Sequence, residues 1–130
     1  MKVNVLGTDY EIVVKTGAED ELLRHGHCGY CDSSVKRIVI APHEPDPADI
    51  YQVEDREQER RATLRHEILH AFLAESGLTN GNSWSQNENC VEWIAQMFPK
   101  LIHAFIDAGA LNEVERGLCE VIAGNMLSAD

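Results

Sequence analysis

Val3 and Val5, then Tyr10, Ile12 and Val14, alternate with polar residues on either side of Gly7-Thr8-Asp9. A period of two broken by a turn predicts a β-hairpin, because successive strand side chains point to opposite faces. Residues 18–25 (AEDELLRH) predict a short helix stopped by Gly26, while Gly29-Tyr30-Cys31-Asp32 and residues 36–41 (KRIVIA) predict two further strands. Residues 1–41 therefore predict a small, mostly antiparallel sheet. Pro42, Pro45 and Pro47 follow within PHEPDPAD and exclude regular structure from that connector.

From about Asp55 the period changes. Leu64, Ile68, Ala71 and Phe72, flanked by Leu69 and Leu73, recur at helical spacing as far as Ser76, and Gly77 is a natural stop. After a loop over residues 79–85 (TNGNSWS), a second helix is predicted from about Gln86 to Asp107. It would bury Val91, Trp93, Ile94, Ala95, Phe98, Leu101, Ile102 and Phe105, and Pro99 should kink it or end its first half. Asn112 caps a third helix to about Leu127, with Val114, Leu118, Val121 and Ile122 on its apolar side. Strands over 1–41 followed by helices over 55–127 make one α+β domain spanning residues 1–130.

Charge narrows the function more than the fold. A net charge of −11 argues against nucleic-acid phosphates as partners, which need clustered Lys and Arg. The basic residues of Glu54 to Arg61 are interleaved with acids, as on a solvated helix face. No apolar run approaches the roughly 20 residues that span a membrane. The first ten residues read as a strand, not a leader, so a cytoplasmic protein is expected. Cys28, Cys31, Cys90 and Cys119 are then expected as reduced thiols.

The candidate chemistry lies in His66-Glu67-Ile68-Leu69-His70, an HExxH motif in the middle of the first long helix. Residues i and i+4 stack on one helix face, so both imidazoles project toward a common point. Two such nitrogens form half of a tetrahedral zinc site. Glu67 lies about 100° around the helix from His66, where a general base can meet water without joining the ligands. A third ligand must come from elsewhere in the chain. Glu88 would complete a His2Glu site for one Zn2+ per chain and leave a position open for water. Glu92, one turn on, would then accept the free N–H of a ligand histidine and set its tautomer. Two alternatives stay open: Glu88 closes a Ser85-x-x-Glu88 capping box instead, or Glu92 is itself the ligand.

HExxH followed by an N-E-x-x-x-acid helix resembles the gluzincin metallopeptidases. The small sheet ahead of the motif helix and residues 87–100 (NENCVEWIAQMFPK) look like compact zincins of the ImmA/IrrE type, especially the phage- and prophage-encoded members. The resemblance covers residues from about 29 to 105, and Glu92 stands where thermolysin-like enzymes carry aspartate. It implies a zincin core, with His66, His70 and Glu88 on zinc and Glu67-assisted attack of zinc-bound water on a peptide bond. It further implies a specific protein substrate such as a repressor, and the host cytoplasm if the chain is phage-encoded. An edge strand, from Gly29–Asp32 or Lys36–Ala41, would bind that substrate as an added strand. The alternative function is a non-catalytic, zinc-stabilised accessory protein that binds a partner.

Other residues weigh less. Tyr30 is a candidate oxyanion stabiliser, and His103 lies several turns beyond Glu88. Cys28 and Cys31, with His25 and His27, crowd too closely for a structural zinc site and read as ordinary thiols. Trp84 is a candidate for lining a cleft, and His43 in the proline connector has no evident partner.

Overall fold

The computed structural model describes residues 1–42, 44, 53–79 and 83–119. His43, most of the proline connector and the expected end of the third helix, with Val121 and Ile122, lie outside the described residues. The chain divides into two compact units, Met1–Gln96 and Met97–Asp130.

In the first unit, β1 (Lys2–Val5) and β2 (Thr8–Val14) pair antiparallel around Leu6 and Gly7. Both turn residues have positive φ, 50° and 91°, as a two-residue hairpin turn matched to strand twist requires. The turn thus falls earlier than the Gly7-Thr8-Asp9 expected. Asn4 Oδ1 accepts from the Gly7 N–H at 3.1 Å and helps hold it. A four-residue helix α1 (Glu21–Arg24) follows, capped by Asp20, and then β3 (Gly29–Asp32) and β4 (Arg37–Ile40).

The sheet order is β1-β2-β4-β3. Two of the three pairings are antiparallel, but the central pair, β2 with β4, is parallel, so the sheet is mixed. Burial accounts for the internal place of β4. Ile38, Val39 and Ile40 are all fully buried, a continuous apolar run that needs cover on both faces and a strand on both sides. β3, which carries Gly29 and Asp32, is left at the edge. Of the two strands expected to offer an edge, only β3 does so, because β4 is internal.

Side-chain alternation divides the sheet into two faces. Ile12, Ile38 and Cys31 are register partners, and with Val5, Tyr10 and Ile40 they meet Leu64, Ile68 and Ala71 of α2 (Arg56–Glu75). Val13, Val39 and Tyr30, register partners one step along, occupy the opposite face.

Asp55 caps α2 by accepting from the Gln58 N–H at 3.0 Å, and Gly77, at φ 80°, closes it. The sheet-facing stripe runs through 64, 67, 68 and 71, so Phe72 falls beside it and is exposed, contrary to expectation. Contact with β3 is close: a Cβ on Gly29 would lie 2.8 Å from both the Thr63 side chain and the Val39 carbonyl oxygen. At the far end, Glu75 accepts from Tyr10 Oη and Lys36 Nζ, each at 2.7 Å, and from Thr8 Oγ1 at 3.2 Å.

A 3-10 turn (Trp84–Gln86) leads into α3 (Glu88–Asp107). Val91 and Ala95 are buried, but Trp93, expected in the core, is 59% exposed. Helix α3 continues through Pro99 instead of ending near it.

The second unit begins within α3. Phe98 and Phe105, expected to face inward, are exposed, as are Val114 and Leu118. Residues 113–119 are helical. Asn112 and Glu115 cap them reciprocally, each side chain accepting from the other's backbone N–H at 2.9 Å. Among the described residues no helix is long and apolar enough to cross a membrane.

Candidate metal centre

His66 and His70 sit one turn apart on α2, and their Nε2 atoms approach to 3.1 Å. The Glu88 carboxylate reaches both. Its Oε2 is 2.8 Å from His66 Nε2 and 3.3 Å from His70 Nε2, with Oε1 3.2 Å from the latter. Glu92 Oε2 stands 2.5 Å from the other nitrogen of His66, Nδ1, and Gln96 Nε2 donates to Glu92 Oε1 at 2.6 Å. Among the described residues, His66, His70 and Glu88 are the one group of three or more His, Cys, Asp or Glu side chains that could hold a metal ion.

Local sequence explains how Glu88 arrives there. Asn87, not Ser85, caps α3: its Oδ1 accepts from the N–H groups of Asn89 and Cys90, and its carbonyl accepts the first helical bond, from Val91. Ser85 is buried and donates to the Leu78 carbonyl at 2.7 Å. The capping-box alternative for Glu88 is thereby excluded. Glu88 is the first residue of the helix and points to the histidines, and Glu92 follows on the same face.

Proton accounting makes the cluster unusual. An ionised carboxylate only accepts, so the Glu92 contact requires a proton on Nδ1 of His66. In a neutral ring that leaves Nε2 bare, facing Glu88 oxygen and a second imidazole nitrogen. A proton on His70 Nε2, a second proton on His66 or a metal ion among the three atoms would each satisfy that lone pair. The spacing suits a metal. Ligands at about 2.0–2.1 Å on a tetrahedral zinc lie about 3.3 Å from one another, close to the separations here.

Glu67 is 7% exposed, on the side of α2 toward the sheet. Burial pushes its carboxyl up to about 7; the His66 charge opposes the rise, and Glu88 and Glu92 add to it. Cys31, on the edge strand, is pushed up to about 12 by burial first and by the Glu67 charge second, so β3 passes near Glu67. Glu88 itself is held below the usual carboxylate range. Its partial burial acts against this, but the His70 charge and hydrogen bonds from both rings outweigh it.

Tyr30 does not join the cluster. It projects from the opposite face of β3 to Cys31, and its hydroxyl donates to Asp20 Oδ2 at 2.6 Å. Strand alternation turns Tyr30, the expected oxyanion stabiliser, toward the cap of α1 and not toward the cluster. Cys28 is exposed, with its thiol 3.8 Å from Glu59 Oε1, and His103 is exposed. Sequence reasoning missed Gln96 and Arg65. The first stands four residues after Glu92, a spacing that could have found it. Arg65 Nε donates to the Ala95 carbonyl at 3.1 Å.

Comparison of the chain with protein-family models, with curated proteins and with solved structures finds no match.

Proposed function

We propose that this protein is a zinc-dependent metallopeptidase, of gluzincin-like design, that hydrolyses peptide bonds in a protein substrate. One observation carries the reading: two imidazole Nε2 atoms and a carboxylate converge at 2.8–3.3 Å, with a second carboxylate behind one ring. His66, His70 and Glu88 would hold the ion, and Glu92 would keep the His66 proton on Nδ1 so that Nε2 stays free.

Zinc bound there would supply a Lewis acid for the peptide carbonyl and acidify water at the site. Glu67 then acts as the proton carrier. Its carboxyl, raised to about 7 by burial, can take a proton from water and return it to the leaving amine near neutral pH. Glu88, 68% exposed at its side chain, leaves the cluster open on its outer side, as access by a polypeptide requires. The edge of β3, without a further strand among the described residues and close to Glu67, offers backbone groups to an extended substrate segment.

Metal analysis of the native protein, purified without a metal-affinity tag, should find about one zinc per chain. His66→Ala should lose it, and Glu88→Ala should weaken it. The zinc-loaded protein should cleave members of an unstructured peptide library, read by mass spectrometry, while Glu67→Gln keeps its zinc and cleaves nothing. Absence of zinc after reconstitution sinks the whole reading. Zinc without cleavage by the native chain sinks the peptidase reading alone and leaves a zinc-stabilised accessory protein that binds a partner.

A further inference from the structure

Pro99 stands inside α3 and has no N–H to return to the carbonyl four residues earlier, that of Ala95. That carbonyl accepts instead from Arg65 Nε, across from α2. Ala95 is 4% exposed, and a buried acceptor with no donor is costly, so the guanidinium meets a real need.

The position of this bond matters. Arg65 immediately precedes His66, and Ala95 follows Glu92 by three residues, nearly one helical turn. The contacts between the helices thus form an ordered series: Glu88 with His70 and His66, Glu92 with His66, Ala95 with Arg65. Residue numbers rise along α3 as they fall along α2, and all of these residues belong to the first unit. The Glu88 and Glu92 side chains are 68% and 42% exposed, so packing around them does little to fix where they point. Their reach depends on where the α3 backbone lies.

We propose that Arg65 is a positioning residue for the candidate metal centre. By anchoring the carbonyl that Pro99 leaves without a helical donor, it holds the first two turns of α3 where Glu88 and Glu92 reach His66 and His70. This inference rests on the metal-centre reading, although its backbone anchor does not require a metal. Arginine suits the task because its Nε–H sits on a rigid planar group close to the side-chain stem, whereas a lysine ammonium is a mobile point charge.

The test uses the full chain with two readouts. The first is zinc affinity by competition with a chromophoric chelator; the second, in the metal-free protein, is the NMR signal of the His66 Nδ1 proton held by Glu92. Arg65→Met should weaken zinc binding by about tenfold, as loss of a supporting contact behind metal ligands does, and should speed exchange of the Nδ1 proton. Arg65→Lys, which keeps the stem and charge, should lie between the two and remains informative if the methionine variant folds poorly. Pro99→Ala restores an N–H for the Ala95 carbonyl, so the cost of losing Arg65 should shrink in that background.

Unchanged zinc affinity and unchanged proton exchange in both Arg65 variants would overturn the proposal. An equal cost of Arg65→Met with and without Pro99 would overturn the assignment of the Ala95 carbonyl as the anchor. If the native chain binds no zinc, the metal-centre reading fails separately, and the Nδ1 proton signal alone decides for or against Arg65.

Discussion

The Glu92 carboxylate accepts a hydrogen bond from Nδ1 of His66 at 2.5 Å, while Nε2 of the same ring faces Glu88. One imidazole is thus gripped from both sides by carboxylates a single turn apart on α3. Glu92→Gln keeps the shape but replaces a charged acceptor with a neutral amide. Zinc affinity, measured by chelator competition, should fall by about 10–100-fold, with the one-to-one stoichiometry retained. An unchanged affinity would reduce Glu92 to a bystander.

Glu67 and Glu75 predict opposite pH effects on the stability of the metal-free chain. Burial raises the Glu67 carboxyl to about 7 in the folded state, against about 4.3 when unfolded. The folded state then binds more protons between these values, so stability is lost as pH rises through that window. Glu67→Gln removes the penalty and should stabilise the metal-free protein by about 1–3 kcal/mol at pH 7.5, with little gain at pH 4. Glu75 is lowered, chiefly by the bond from Lys36 and then that from Tyr10. Its contribution is fully present above the unfolded value and disappears as pH falls through the folded one. Glu75→Gln should therefore be less stable than the native chain at neutral pH and match it more closely in acid. Urea unfolding at a series of pH values reads both.

Tyr30→Phe separates a structural tyrosine from a catalytic one. The hydroxyl donates to Asp20, which also caps α1. Its removal should cost about 1–2 kcal/mol in denaturant unfolding. Zinc affinity and any peptide cleavage should not change. A loss of cleavage with intact stability would restore Tyr30 to the chemistry.

Gly29 brings the edge strand close to Thr63 of α2. An added methyl group would meet Thr63 Cγ2 and the Val39 carbonyl oxygen, each at 2.8 Å, and one contact is backbone that cannot rotate away. Gly29→Ala should destabilise by about 1–3 kcal/mol through overpacking. If β3 borders the catalytic cleft, cleavage should suffer more than zinc binding. Calorimetry, chelator competition and the peptide-library assay on one preparation compare the three effects.

Much of this protein was legible in its sequence because helices and hairpins are built from local bonds. The hairpin, the cap at Asn112 and the two long helices follow from periods of two and 3.6 and from residues that end them. The facing of His66 and His70 follows too, since four residues make about one helical turn. Other features depend on contacts between distant segments. The internal place of β4 between β2 and β3 goes with the full burial of Ile38, Val39 and Ile40, and it leaves β3 at one edge of the sheet. Whether Glu88 capped a helix or met the histidines turned on Ser85 bonding to Leu78 and Asn87 taking the cap. Which face of β3 carries Tyr30 toward α1 and which carries Cys31 toward α2 was not legible, because alternation specifies two faces but not which one a helix covers. Only the approach of the first two turns of α3 to α2 brought Arg65 to the carbonyl that a proline had left without its donor.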